Sequence, residues 1–137
     1  MANLKHRTFR GTATIEMALV LPLLMALTFG LIEYGWIFLK LQQVTEAARH
    51  AARIGVTADA TNGDITNAVA ALMDDAGLGA SGYEVAISPG ETDGLTAGEP
   101  LKITVAVPYE NIELIGVPLI PVPPSLRASV TMAKEGS

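Results

Sequence analysis

Residues 17–32, "MALVLPLLMALTFGLI", carry no charge, and after Glu33 the apolar run resumes through residue 39. This stretch constrains the chain more than any other. Over residues 13–39, a helix rising ~1.5 Å per residue is about 40 Å long, against a hydrocarbon core of roughly 30 Å. The segment is therefore long enough to cross a bilayer with some tilt. It also accounts for a mean hydropathy of +0.38 in a chain with only 17% charged residues.

Charge is partitioned around that run. Lys5, Arg7 and Arg10 precede Thr12 with no acid among them. Between residues 12 and 55, Glu16, Glu33 and Glu46 balance Lys40, Arg49 and Arg53. From residue 56 onward, Lys102, Arg127 and Lys134 face eleven acids. A basic flank before the span and an acidic domain after it predict a cytoplasmic N-terminus and an external C-terminal domain. The acidic domain argues against nucleic acid as a partner. No cysteine is present, so neither a disulfide framework nor thiolate chemistry is available. The apolar run is too long for a cleaved signal peptide's core, and no small-residue cleavage site closes it.

The run continues in helical character. Tyr34 and Trp36 stand where an interfacial aromatic belt is expected, with Lys40 at the outer edge. Beyond it Leu41, Val44, Ala48, Ala51 and Ala52 recur at helical steps, and Gly55 is a stop. One helix over residues 14–54 is predicted, with Pro22 loosening or kinking its first half. The spacing assigns residues 12–40 to a transmembrane helix, 41–55 to a helical stalk and 56–137 to an external head.

The head reads as α+β. Asp64 is placed to cap a helix over residues 65–77 that Gly77 ends, with Ile65, Val69, Leu72 and Met73 as its apolar face. Residues 83–88, 101–107 and 126–133 alternate apolar with polar, as half-buried strands do. The expected architecture is a long N-terminal helix packed on a small, mostly antiparallel three-stranded sheet with one short helix. Residues 108–125 combine apolar side chains with Pro118, Pro121, Pro123 and Pro124, which bars regular structure at the segment's end. Two readings of it stand: a crossover loop whose apolar side chains cover the sheet edge or the helix, or an exposed apolar lip for a partner or the membrane surface.

Catalytic patterns are lacking. His6 and His50 have no ligand spacing, and neither a nucleophile elbow nor a phosphate loop occurs. "DATNGD" and "ETDG" have the composition of calcium loops without their spacing and read as solvated turns. No enzyme, cofactor or metal is expected.

Glu16 then carries the interest. It is either a polar residue close enough to the interface to reach water or a group in search of a partner. Were the chain cut after Gly11, Thr12 would supply a new α-amino group, a cation available to the Glu16 carboxylate in low dielectric.

A basic leader ending in Arg10-Gly11, then "TATI", Glu16 and an apolar helix resembles the prepilin-peptidase substrates of type IV pilins and pseudopilins. The continuation matches Glu16, residues 18–22, residues 33–35 ("EYG") and residues 47–53 ("AARHAAR") of a wider pattern. It resembles the TadE-like minor pilins of the tight-adherence (Tad/Flp) system. Met17, where the related major subunits carry tyrosine, favours a minor pilin. The resemblance implies residues 1–11 as a leader, cleavage between Gly11 and Thr12 by a prepilin peptidase, and amine pairing by Glu16 during helix stacking. It further implies a single-pass protein of the bacterial inner membrane, with other pilins and an inner-membrane assembly platform as partners in attachment or secretion. Glu33 is then either an interfacial residue or a second contact with a neighbouring helix. Ala26 and Gly30 form a small-xxx-small pair suited to close helix approach. The competing class is a single-pass membrane-anchored binding module in which Glu16 is incidental.

Overall fold

The computed structural model describes residues 8–92, 94–116 and 121–136, with side chains from residue 11. Lys5, Arg7, the side chain of Arg10, Asp93 and residues 117–120 of the proline-rich segment lie outside the described residues. The fold is α+β, as the patterning predicts. Helix α1 (Thr8–Gly55) has 48 residues and continues through Pro22, whose missing N–H leaves the Ala18 carbonyl without its usual donor. It starts earlier than residue 14. Once the apolar turns have formed, propagation adds a residue per hydrogen bond and carries the helix back through Gly11, although glycine costs ~1 kcal/mol there.

Helix α2 (Asn62–Asp75) begins on Thr61, not Asp64. The Thr61 hydroxyl accepts from the Asp64 amide, and the Asp64 carboxylate accepts from the Thr61 amide at 2.9 Å. This reciprocal capping box occupies two orphan donors at once. It also gives "DATNGD" a structural role. Hydrogen bonding to Thr61 draws the Asp64 carboxyl below its ordinary range. At the other end Gly77 adopts φ +67°, and Leu78 N–H reaches back to the Met73 carbonyl at 2.7 Å. Only a residue tolerant of positive φ closes a helix this way, so Gly77 acts as the predicted terminator.

Strands β1 (Glu84–Ser88), β2 (Pro100–Pro108) and β3 (Ser125–Ala133) form an antiparallel sheet in sequence order. Val85, Val105 and Ala128 stand opposite one another, as do Ile87, Ile103 and Val130. Residues directly opposed share a face, so these rows face inward together. Leu101, Ile103, Val105 and Val107 are wholly buried. The distal half of α1 lies against them through Val44, Ala47, Ala48, Ala51 and Ala52, equally buried, and α2 closes the core with Ile65, Val69 and Met73. Four alanines on one face let the helix backbone come close to its neighbours.

Both helices end on a borrowed lysine. The buried Lys134 directs Nζ to the carbonyls of Gly55 (3.3 Å) and Thr57 (2.7 Å), while the Glu135 amide donates to Val56 O at 2.8 Å. A cation on the last carbonyls of α1 satisfies orphan acceptors and opposes the negative end of the helix dipole. Lys40 does the same for α2 through the Ala76 carbonyl at 2.8 Å, with its ammonium 4.7 Å from the centre of the Trp36 ring. We expect Lys134→Met, which keeps the aliphatic stem but strands the Gly55 carbonyl and leaves Thr57 O with the Ala60 amide alone, to destabilise the head by about 1–2 kcal/mol. Denaturant unfolding in detergent reads this directly, and Lys134→Arg should recover part of the loss.

Candidate functional site

The apolar run holds two carboxylates, and the fold treats them in opposite ways. Residues 11–32 are exposed apart from half-buried Gly30, so this part of α1 touches little of its own chain. It is long and apolar enough to cross a membrane and fits a membrane anchor. Glu16 lies on it, exposed, with no hydrogen bond to the described residues. Glu33 follows directly after the bare stretch and is only 1% exposed.

The burial of Glu33 has a cause in the head. Glu33, Ile37, Lys40 and Val44 fall at helical spacing on one face of α1, and all four are buried. That face meets the connection between β2 and β3, which starts with a 3₁₀ turn (Tyr109–Asn111). The Tyr109 amide donates to the Pro124 carbonyl at 3.0 Å and closes the base of the connection. From this turn the Tyr109 hydroxyl donates to Glu33 Oε1. The amides of Leu114 and Ile115 donate to Glu33 Oε1 and Oε2 at 3.2 and 2.9 Å. One carboxylate thus gathers three donors from a segment about 80 residues away in sequence. Burial raises the Tyr109 hydroxyl's pKa, and the neighbouring Glu33 raises it further, so this phenol stays protonated and remains a donor.

Two further bonds join the same parts. Tyr34 donates its hydroxyl to the Pro121 carbonyl at 2.5 Å, and Trp36 donates Nε1 to the Ile112 carbonyl at 2.7 Å. The aromatic pair expected to mark a lipid interface therefore spends its polar atoms on the head. Glu33 likewise finds its partners inside the chain, an arrangement neither reading of the sequence contained. The proline-rich segment divides between its two readings. Ile112 is buried and Val122 packs on the core, whereas Leu114 and Ile115 remain 49% and 40% exposed. It joins antiparallel neighbours, so it is a long hairpin connection and not a crossover.

The other positions singled out in the sequence lie apart from this joint. Gly11 and Thr12 sit near the start of α1, and a Cβ at Gly11 would meet none of the described residues within 4 Å. Ala26 is exposed on the bare stretch, four residues before Gly30. Among the described residues, no group of three or more His, Asp or Glu is placed to hold a metal. A cleft beside the joint, lined by Trp36, Lys40, Leu78, Ser81, Asn111 and Glu113, has its main polar groups already engaged. Lys40 and Trp36 bond to carbonyls, and the Asn111 amide bonds to Ser81 O at 2.9 Å. This chemistry holds a head to a helix.

A bare apolar helix carrying a small head gripped onto its distal half fits a membrane-anchored protein. Residues 11–53 match the family model described as TadE-like protein, which supports a TadE-like protein of the Tad pilus system. The matched segment is α1 apart from its first three and last two residues, so it takes in Glu16, Glu33 and the alanine face but none of the head beyond. Comparison with curated proteins and with solved structures finds no match.

Proposed function

We propose that this chain is a minor pilin, or pseudopilin, that a prepilin peptidase cuts between Gly11 and Thr12 and that then takes part in assembling a Tad-type pilus for attachment or secretion. One observation carries the reading: the TadE-like match falls on the helix that the head leaves bare, together with the stalk that the head grips. The role is structural. Its partners are the peptidase, other pilins of the system and an inner-membrane assembly platform. Ala26 and Gly30 offer a small-residue surface for a neighbouring helix. The basic leader stays on the cytoplasmic side of the inner membrane by the positive-inside rule, and the acidic head lies outside.

Two local features support processing at Gly11. Glycine weakens a helix by ~1 kcal/mol relative to alanine, so the turn around it opens readily for a protease. Among the described residues nothing packs on Gly11, and a small residue there suits a close-fitting peptidase site. Glu16, bare on the helix, then meets the α-amino group of Thr12 in its own chain or a packed neighbour. Intact-mass measurement of the protein extracted from its native membrane should show a chain beginning at Thr12. A chain still beginning at Met1 or Ala2 would overturn the proposal. Gly11→Val is expected to leave the leader attached.

A further inference from the structure

The loop beyond the 3₁₀ turn descends along α1 toward the bare stretch, and its anchors give the order. Ile112 is held by Trp36, then Leu114 and Ile115 by Glu33, and on the return the Pro121 carbonyl is held by Tyr34. Helical side chains lean toward the N-terminus, so the contacts of Glu33 and Tyr34 lie lower on the helix than their own Cα atoms. Leu114 and Ile115 therefore stand level with the point where the bare stretch ends. Residues 11–32 span about 33 Å at ~1.5 Å per residue, close to the roughly 30 Å of a hydrocarbon core. The membrane boundary and the two exposed apolar side chains fall at the same height.

We infer that Leu114 and Ile115 form a lipid-facing lip that enters the headgroup–acyl boundary of the bilayer beside the spanning helix. An irregular loop approaches hydrocarbon only when its backbone polar groups are satisfied. Here Glu33 accepts both amides, Trp36 covers the Ile112 carbonyl and Tyr34 covers the Pro121 carbonyl. The segment reaches the boundary with much of its backbone engaged and its apolar side chains bare. Glu33 thus acts as the clamp that lets this loop approach lipid. The inference rests on the reading of residues 11–32 as a membrane span.

The chain has no cysteine, so single-site labelling is clean. Ile115→Cys, Leu114→Cys, Leu24→Cys and Thr131→Cys variants of the full chain, each carrying an environment-sensitive fluorophore, would be placed in vesicles of phosphatidylethanolamine and phosphatidylglycerol. Nitroxide lipids with shallow or deep spin labels supply the quencher. The lip predicts blue-shifted emission at positions 114 and 115, with greater loss from the shallow nitroxide than from the deep one. Position 24 should be quenched most by the deep nitroxide, and position 131 by neither. Quenching at 24 with water-like, unquenched emission at 114 and 115 would overturn the lip and leave the span standing. Absence of quenching at position 24 would overturn the span and the lip with it. Shielding at 115 that nitroxide lipids do not touch, and that fades as protein is diluted in lipid, would place a second chain there and overturn the lip.

Discussion

Glu33→Ala is expected to free the β2–β3 connection from α1 and to destabilise that joint by about 3 kcal/mol. The estimate follows from the partners left behind. The Tyr109 hydroxyl and the amides of Leu114 and Ile115 all donate to this one carboxylate, and alanine provides no acceptor for any of them. A hydrogen bond to a charged group contributes ~1.5–3 kcal/mol, and a buried donor left unsatisfied costs ~1–3 kcal/mol, with relaxation and water entry offsetting part of the sum. Amide exchange at Leu114 and Ile115 gives the most local reading. At ~1.4 kcal/mol per decade, their protection should fall about a hundredfold, while amides of β2 keep theirs. Tyr109→Phe separates the contributions. It removes one donor, leaves the carboxylate two amides, and should cost about 1.5 kcal/mol, with protection at 114 and 115 falling about tenfold at most. Unchanged exchange at both amides in Glu33→Ala would mean that the loop is held by apolar packing of Ile112 and Val122, not by the carboxylate.

This prediction also bears on Glu16. Two acids interrupt one apolar run, and a carboxylate near hydrocarbon is costly unless it is paired. The fold meets that cost at Glu33 from within, using a phenol and two amides. At Glu16 the described residues offer nothing comparable, because this part of α1 is exposed. Under the proposed function, the partner of Glu16 is the amine released at Thr12. Glu16→Ala should accordingly spare the stability of the head, since no head residue depends on it.

Local pattern carried most of the architecture. Alternation placed each strand to within a residue or two of its observed ends, because one face of the sheet is buried and the other solvated. The alanine and valine spacing after Leu41 identified the packed face of α1 for the corresponding reason. Thr61 was also legible. The Thr61-x-x-Asp64 pair is a capping box with Asp64 at its third helical position, and reading Asp64 as the cap itself misplaced the start by three residues. The joint at Glu33 was not legible. Its donors come from Tyr109, Leu114 and Ile115, roughly 80 residues on, and two of them are backbone groups that no residue type announces. Lys40 and Lys134 escaped for a similar reason, since each serves carbonyls of a helix that only the tertiary fold brings near. Tyr34 and Trp36 bond to carbonyls of the connection, which their position in the sequence does not announce. At the edge of an apolar run, aromatic residues with polar tips look alike whether they face lipid headgroups or a loop of their own chain.

The second large effect is expected at Gly55, where two arguments oppose each other. As a helix stop, Gly55 should accept alanine with a gain, because alanine is favoured over glycine in a helix by ~1 kcal/mol and Gly55 has no positive φ to lose. Packing says otherwise. A Cβ at this position would lie 2.7 Å from Ile65 Cδ1 and 2.7 Å from Leu101 Cδ2, and both side chains are fully buried where α1, α2 and β2 meet. Overpacking a close-fitted core costs ~1–3 kcal/mol, which exceeds the propensity gain over most of that range. Gly55→Ala should therefore destabilise the head by about 1 kcal/mol and Gly55→Val by about 3 kcal/mol, measured as denaturant unfolding in detergent. A double-mutant cycle identifies the cause. Leu101→Val alone removes a buried methylene and should cost ~1 kcal/mol, yet in the Gly55→Ala background it opens room for the new Cβ and should restore stability. A collision between side chains requires such favourable coupling, limited by the Ile65 contact that Leu101→Val leaves in place. A lost helix stop would leave the two substitutions additive, and glycine at residue 55 would then owe nothing to the close approach of α1 to the sheet.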